Sequence, residues 1–206
     1  MRERDRLVVP FDVVALAASA GGLRALTAVL APLPRDFPAA ILVAQHLAPR
    51  PQYPNPLVEL LDRHTALSVA WAAPGGRARP GTVHIAPPDH HLLVAADGAL
   101  ALSQGPKVWG ARPAADPLFT SVARAYRGRA LAVVLTGMGR DGAAGACAVK
   151  RGGGRVLVQD PATASAGAMP RAAIATGCVN VVLPLELIAP ALLALLIVPE
   201  WVAVTV

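Results

Sequence analysis

The chain of 206 residues is 54% hydrophobic, enough to bury one large core, which excludes a disordered protein and leads us to expect a single domain over 1–206. Its formal charge of +6 and pI near 10.3 raise the question of nucleic acid. All basic residues except Lys107 and Lys150 are arginines spread along the sequence, only 4% of residues are aromatic and no binding motif is present, so no nucleic-acid partner is expected.

In chain order, the N-terminal segment is not read as a secretory leader. Glu3 and Asp5 sit among its arginines, and Pro10 and Asp12 interrupt the apolar run that a leader needs. Short Val/Ile/Leu/Ala runs then alternate with segments of helical period, the pattern of a doubly wound, mainly parallel α/β sheet flanked by helices. Strands are expected over Asp12–Ala18, Ala39–Gln45, Leu67–Ala72, Leu131–Thr136, Arg155–Asp160 and Cys178–Leu183. Helices are expected over Gly22–Leu33, Pro56–His64, Asp116–Arg127, Asp141–Arg151, Pro170–Thr176 and Leu185–Leu196. In mid-chain, "GTVHIAPPDHHLLVAADGALALS" carries Asp97-Gly98 between two apolar runs and predicts an antiparallel β hairpin excursion. Cys147 and Cys178 have no metal-ligand spacing and are expected as reduced core residues of a cytoplasmic protein. The apolar run Leu187–Val204 approaches the length of a membrane span, but Pro190, Pro199 and Glu200 interrupt it. A core helix ending near 196 and an apolar tail over 197–206 are expected instead, with no membrane contact.

Three places could carry chemistry. Ser19 follows a buried strand and precedes Gly21 and Gly22 and a helical run, so it sits either at a nucleophile elbow lacking its first glycine or as a helix cap. The helix N-terminus beside it would stabilise a bound phosphate or a developing oxyanion. His46, just beyond the second strand, lies where an open α/β sheet places functional groups. The third place, "LTGMGRDGAAG", spells GxGxxG through Gly137, Gly139 and Gly142, with Asp160 ending the next strand, and so imitates a dinucleotide fingerprint. Asp141 argues against that reading, because a carboxylate where a pyrophosphate should lie would repel it. Ser19, His46 and Asp141 each fall at the C-terminal end of a predicted parallel strand, as the convergence of a Ser-His-Asp triad requires.

The motifs "ALAASAGGLRAL", "AQHL", "GTVHIAPPDHHL", "PLFTSVA", "VVLTGMGRDGAAG" and "AMPRAAI" resemble, in order and spacing, those of the catalytic domain of the CheB chemotaxis methylesterases. The resemblance runs from about Val13 to Leu196. It implies a serine hydrolase that removes methyl groups from glutamyl methyl esters on the cytoplasmic helices of chemoreceptors, with glutamine deamidation as a further activity. It also implies Ser19 as nucleophile, His46 as general base, Asp141 as orienting carboxylate and the Met138 N–H as an oxyanion donor. Gly21 joins these at the elbow, while Arg112, Met169 and Arg171 lie in blocks that could line the cleft. Acyl transfer by such a triad needs no cofactor and no metal.

The sequence departs from the family pattern at four places. Ala20 replaces the usual threonine after the serine, Trp109 and Gly110 occupy a stretch that is usually polar, and "PRPQYPNP" after His46 is rich in proline. About eleven residues precede the first strand, so the phosphorylatable receiver domain that normally comes first is expected to be missing. A separate receiver protein is then a candidate partner. A catalytically silent receptor-binding module of the same fold is the main alternative function, and a dinucleotide enzyme using Gly137–Gly142 a weaker one. His84, Asp89, His90 and His91 form the one cluster with metal-ligand character, but strand alternation sends His90 and His91 to opposite faces, and hydrogen-bonding roles are preferred.

Overall fold

The computed structural model describes residues 11–47 and 55–197. The N-terminal segment read as unlike a leader, most of the proline-rich stretch after His46, and the apolar tail beyond 197 lie outside the described residues. In chain order the elements are β1 (Val13–Ala18), α1 (Gly22–Leu30), β2 (Ala40–Gln45), α2 (Leu57–Asp62), β3 (Ser68–Trp71), β4 (Thr82–Ile85), β5 (His91–Val94), β6 (Leu100–Ser103), α3 (Ala115–Tyr126), β7 (Ala130–Val134), α4 (Ala143–Arg151), β8 (Arg155–Gln159), α5 (Ala168–Ala175), β9 (Val181–Leu183) and α6 (Leu185–Ile197). Seven strands form one sheet in the order β3-β4-β2-β1-β7-β8-β9, and every neighbouring pair is parallel.

Strand alternation splits the core into two layers. Val14, Leu16 and Ala18 of β1 face a layer containing Leu26 and Leu30 of α1, Leu57 and Leu61 of α2, and Ile188 and Leu192 of α6. Val13, Ala15 and Ala17 face the opposite layer, with Leu118, Phe119 and Val122 of α3, Val149 of α4 and Met169 of α5. Both faces of β1 are therefore buried, which explains why it reads as a continuous apolar run. Because β2 pairs on one side of β1 and β7 on the other, the strand order reverses at β1. The crevice of a doubly wound sheet opens at such a reversal, beyond the C-terminal strand ends.

The expected mid-chain antiparallel hairpin forms from β5 and β6, which pair as a separate two-stranded sheet, and one other expectation changes. The run before it, which includes His84, joins the main sheet as β4, parallel to β2 and β3. A turn signal such as Asp97-Gly98 specifies its own hairpin, where Ala99 N bonds Asp97 Oδ1, but not the partner of the preceding strand. The reduced-cysteine expectation is corrected: Cys147 and Cys178 form a disulfide with a Cα–Cα distance of 5.0 Å. Neither cysteine is fully buried. Cys147 lies on α4, and Cys178 precedes β9 rather than opening it, so a contact between the α4 surface and the loop after α5 brings the thiols together. Closing 31 residues of chain, this bond restricts the unfolded state. Reduction should lower the stability measured by urea unfolding by about 2–4 kcal/mol. Identical midpoints with and without reductant would contradict the pairing.

Candidate active site

Ser19 is the first residue beyond β1. Its N–H donates to Thr136 O at 2.9 Å, tying it to the segment after β7. His46 is likewise the first residue beyond β2, and its N–H donates to Ala18 O at 2.9 Å. Both side chains are thus delivered by main-chain bonds that continue the sheet. Gly21, with φ +78°, lets the chain reverse into α1, whose N-terminus carries no side-chain cap and no acidic residue in its first turn. A Cβ at Gly21 would lie 2.6 Å from that of Ser165, so the turn is also closely packed.

Asp141 is 1% exposed and completely engaged. Its Oδ2 accepts the Ala115 N–H at 2.6 Å, and its Oδ1 accepts the N–H groups of Asp116 at 3.0 Å and Gly142 at 2.9 Å. The first two are orphan donors at the N-terminus of α3, where the helix dipole favours an anion. The same Oδ2 lies 2.6 Å from His46 Nε2, which donates to it. Neutral imidazole with its proton on Nε2 presents Nδ1 as a lone-pair acceptor. Ser19 Oγ makes no hydrogen bond with protein among the described residues.

The GxGxxG loop therefore holds a carboxylate. Gly139 and Gly142 have φ of +84° and +87°, which bend the loop so that Asp141 turns inward to the start of α3. Gly137 is a close-approach position: a Cβ there would lie 2.8 Å from Ser19 Cβ and 2.1 Å from Met169 Sδ. Met169 is fully buried beneath Gly137 and so packs under the serine rather than lining an open cleft. Met138, by contrast, is 64% exposed, and its N–H has no acceptor among the described residues.

Arg112 is spent internally. It donates to Asp89 Oδ1 at 2.7 and 3.0 Å and to the carbonyls of Gln104 and Gly105 at 2.7 and 2.8 Å, and so braces the β5–β6 hairpin. This guanidinium holds the Asp89 carboxyl below its ordinary pKa. Arg171 is exposed on α5, with its guanidinium against Gly167. The histidine cluster does not converge. His91 is buried between Pro106 O and the Ala114 N–H, His90 donates to Pro88 O, and His84 meets Thr82 Oγ1. Burial pushes the His84 imidazole pKa down.

Sequence reasoning assigned no role to Gln45, yet its amide is the clamp between the two strand ends. Nε2 donates to Ser19 O at 3.0 Å and to His46 O at 2.9 Å. A Cβ at position 22 would lie 1.8 Å from Gln45 Oε1, so any residue other than glycine there would displace the amide end of Gln45 from this clamp. Its sequence signal is a polar residue at the end of an otherwise apolar strand. Thr136 has a similar part: its hydroxyl donates to Ala20 O, accepts from the Ala166 N–H, and fastens the serine turn to the segment before α5.

Fold and site together define a doubly wound α/β domain with a serine and a carboxylate-held histidine at the switch point of the sheet. The comparisons place it more narrowly. The chain belongs to the CheB methylesterase family, whose model matches residues 14–192. It is 42% identical over 195 residues to protein-glutamate methylesterase FrzG of Myxococcus xanthus, covering 95% of this chain and 56% of that protein. It is 47% identical over 181 residues to a protein-glutamate methylesterase/protein-glutamine glutaminase of Anaeromyxobacter dehalogenans, covering 88% and 52%. The chain spans about half the length of these relatives. The crystal structure of the Thermotoga maritima CheB methylesterase catalytic domain superimposes with a TM-score of 0.85 at 37% identity, covering 91% of this chain and all of that one. Among the described residues no helix is long and apolar enough to cross a membrane.

Replacing glycine by alanine near a helix start ordinarily stabilises by up to about 1 kcal/mol. At Gly22 the sign should reverse, with Gly22→Ala costing about 1–3 kcal/mol in urea unfolding because Gln45 must leave its clamp. A stabilised Gly22→Ala variant would contradict this packing.

Proposed function

We propose that this chain hydrolyses glutamyl methyl esters on chemoreceptor cytoplasmic helices, with Ser19, His46 and Asp141 as its catalytic residues. The observation that carries the reading is the 2.6 Å contact between His46 Nε2 and a buried, fully engaged Asp141, placed on the strand end next to Ser19. Family membership supplies the substrate class, since both relatives above are named as protein-glutamate methylesterases.

In the reaction, Ser19 Oγ attacks the ester carbonyl carbon while His46 Nδ1 takes its proton. Asp141 keeps the imidazole in the tautomer that can accept there and stabilises the imidazolium that forms. The carbonyl oxygen becomes an oxyanion. The Met138 N–H and the first-turn N–H groups of α1 beyond Gly22, whose own N–H is taken by Ser19 O, are donors that could meet it. Collapse returns the proton to the departing methoxide, so methanol leaves and an acyl-serine remains. Water, deprotonated by His46, then attacks the acyl carbon and frees Ser19 and the glutamate carboxylate. Attack on a glutamine side chain would follow the same steps with ammonia as leaving group.

Closure of the substrate over Ser19 must complete the Ser19–His46 hydrogen bond, as catalytic hydrogen bonds tighten on binding. A silent receptor-binding module is the second reading. It is favoured by the unpaired Ser19 Oγ and by Ala20, which removes a hydroxyl beside the nucleophile. Methanol release from a methylated receptor cytoplasmic fragment separates the two. The parent should release methanol, Ser19→Ala should lose several orders of magnitude, and Asp141→Asn about 10³–10⁴-fold. Receptor binding without methanol release would favour the silent module.

A further inference from the structure

Trp109 occupies a conformation that its side chain disfavours. Val108 and Ala111 exchange both main-chain hydrogen bonds, at 3.0 and 2.9 Å, and enclose a two-residue turn. Trp109 and Gly110 at its tip have φ of +51° and +77°. A turn with positive φ at both central residues favours Asn-Gly, and a bulky residue at the first position is an outlier. The indole is nevertheless held out at 57% exposure. It is also fixed in place: Nε1 donates to Asp116 Oδ2 at 2.9 Å, and the Arg140 guanidinium carbon lies 4.7 Å from the ring centroid.

These contacts place the indole on the rim of the site. Asp116, which receives the indole N–H, gives its own N–H to Asp141, and Arg140 directly precedes Asp141. Of the six large apolar side chains exposed among the described residues, Leu23 follows Ser19 by four residues on the first turn of α1, Met138 precedes Asp141 by three on the glycine loop, and Trp109 touches Asp116 and Arg140. Arg140 is exposed and has no carboxylate partner among the described residues. The rim thus offers an apolar plate beside an unpaired cation, and a strained turn presents it where a residue suited to the turn would serve folding better.

Resting on the methylesterase reading, we propose that Trp109, with Arg140 stacked on it, is a specificity-determining residue that docks the protein substrate. Its occupant is an amphipathic helix carrying the ester. An apolar side chain on that helix packs on the indole edge, and an acidic side chain one turn away pairs with Arg140. A glutamyl ester whose helical neighbours include free glutamates supplies both groups. The interaction lies outside the reacting atoms, so it selects among esters rather than accelerating the acyl transfer.

The test compares methanol release from a methylated receptor cytoplasmic fragment with that from N-acetyl-glutamate γ-methyl ester, which has no helix to dock. Trp109→Asn suits the turn and separates docking from folding. It should unfold at the parent temperature or above, yet lower the ratio of kcat/KM for the receptor fragment to that for the small ester by about tenfold, mainly through KM. Trp109→Phe, which keeps a ring under Arg140 without the N–H, should recover most of that ratio. The parent's kcat/KM for the receptor fragment should fall with added salt, and that of Arg140→Gln should fall less. An unchanged ratio in Trp109→Asn, or a loss in proportion on both esters with a lowered unfolding temperature, would overturn the docking role and leave the methylesterase reading standing. A parent that releases methanol from neither ester would overturn that reading and the docking role with it.

Discussion

The Asp141 carboxylate joins three parts of the chain that are remote in sequence. It takes the imidazole of His46, which is 95 residues away, two N–H groups from the start of α3, and one from its own glycine loop. Burying a carboxylate is costly unless each oxygen is satisfied, and here four donors meet two oxygens. The arrangement ties β2, β7 and α3 to one point above β1, so the geometry of the site is as rigid as the sheet beneath it. Docking of α3 against Ala15 and Ala17 of β1 brings the donors into reach, which makes the small residues of that layer part of the site's support.

Much of this was legible from periodicity. The strands that form the centre of the sheet are apolar on both faces, and a residue directly beyond such a strand is committed to the C-terminal edge. Ser19 and His46 follow β1 and β2 directly and could therefore be assigned to one edge from the sequence, whereas Asp141 lies seven residues beyond β7 and reaches that edge through its glycine loop. The loop around Asp141 was legible for a different reason: a carboxylate inside a glycine pattern is incompatible with a phosphate, and it does take the N–H of Gly142 that a phosphate would want.

What was not legible depends on partners far away in the sequence. The segment containing His84 looks the same whether its strand joins a hairpin or adds to the main sheet, because a four-residue run carries no record of its neighbour. Cys147 and Cys178 were read from local hydrophobicity, which favours burial, whereas their pairing follows from the approach of α4 to the loop before β9. Gln45 is invisible to motif logic because its task is set by two carbonyls and a missing Cβ at Gly22. The positive φ of Trp109 was equally hidden, since nothing local would choose tryptophan for that turn.

The central claim is that His46, oriented by Asp141, activates Ser19. An organophosphonate ester that reacts only with activated serines tests this without reference to any substrate, once the modified residue is located by mass spectrometry. The account predicts covalent modification of Ser19 in the parent protein, and its loss in His46→Ala while the fold is retained. Labelling of Ser19 at the same rate in both proteins, or modification of a different serine, would contradict it.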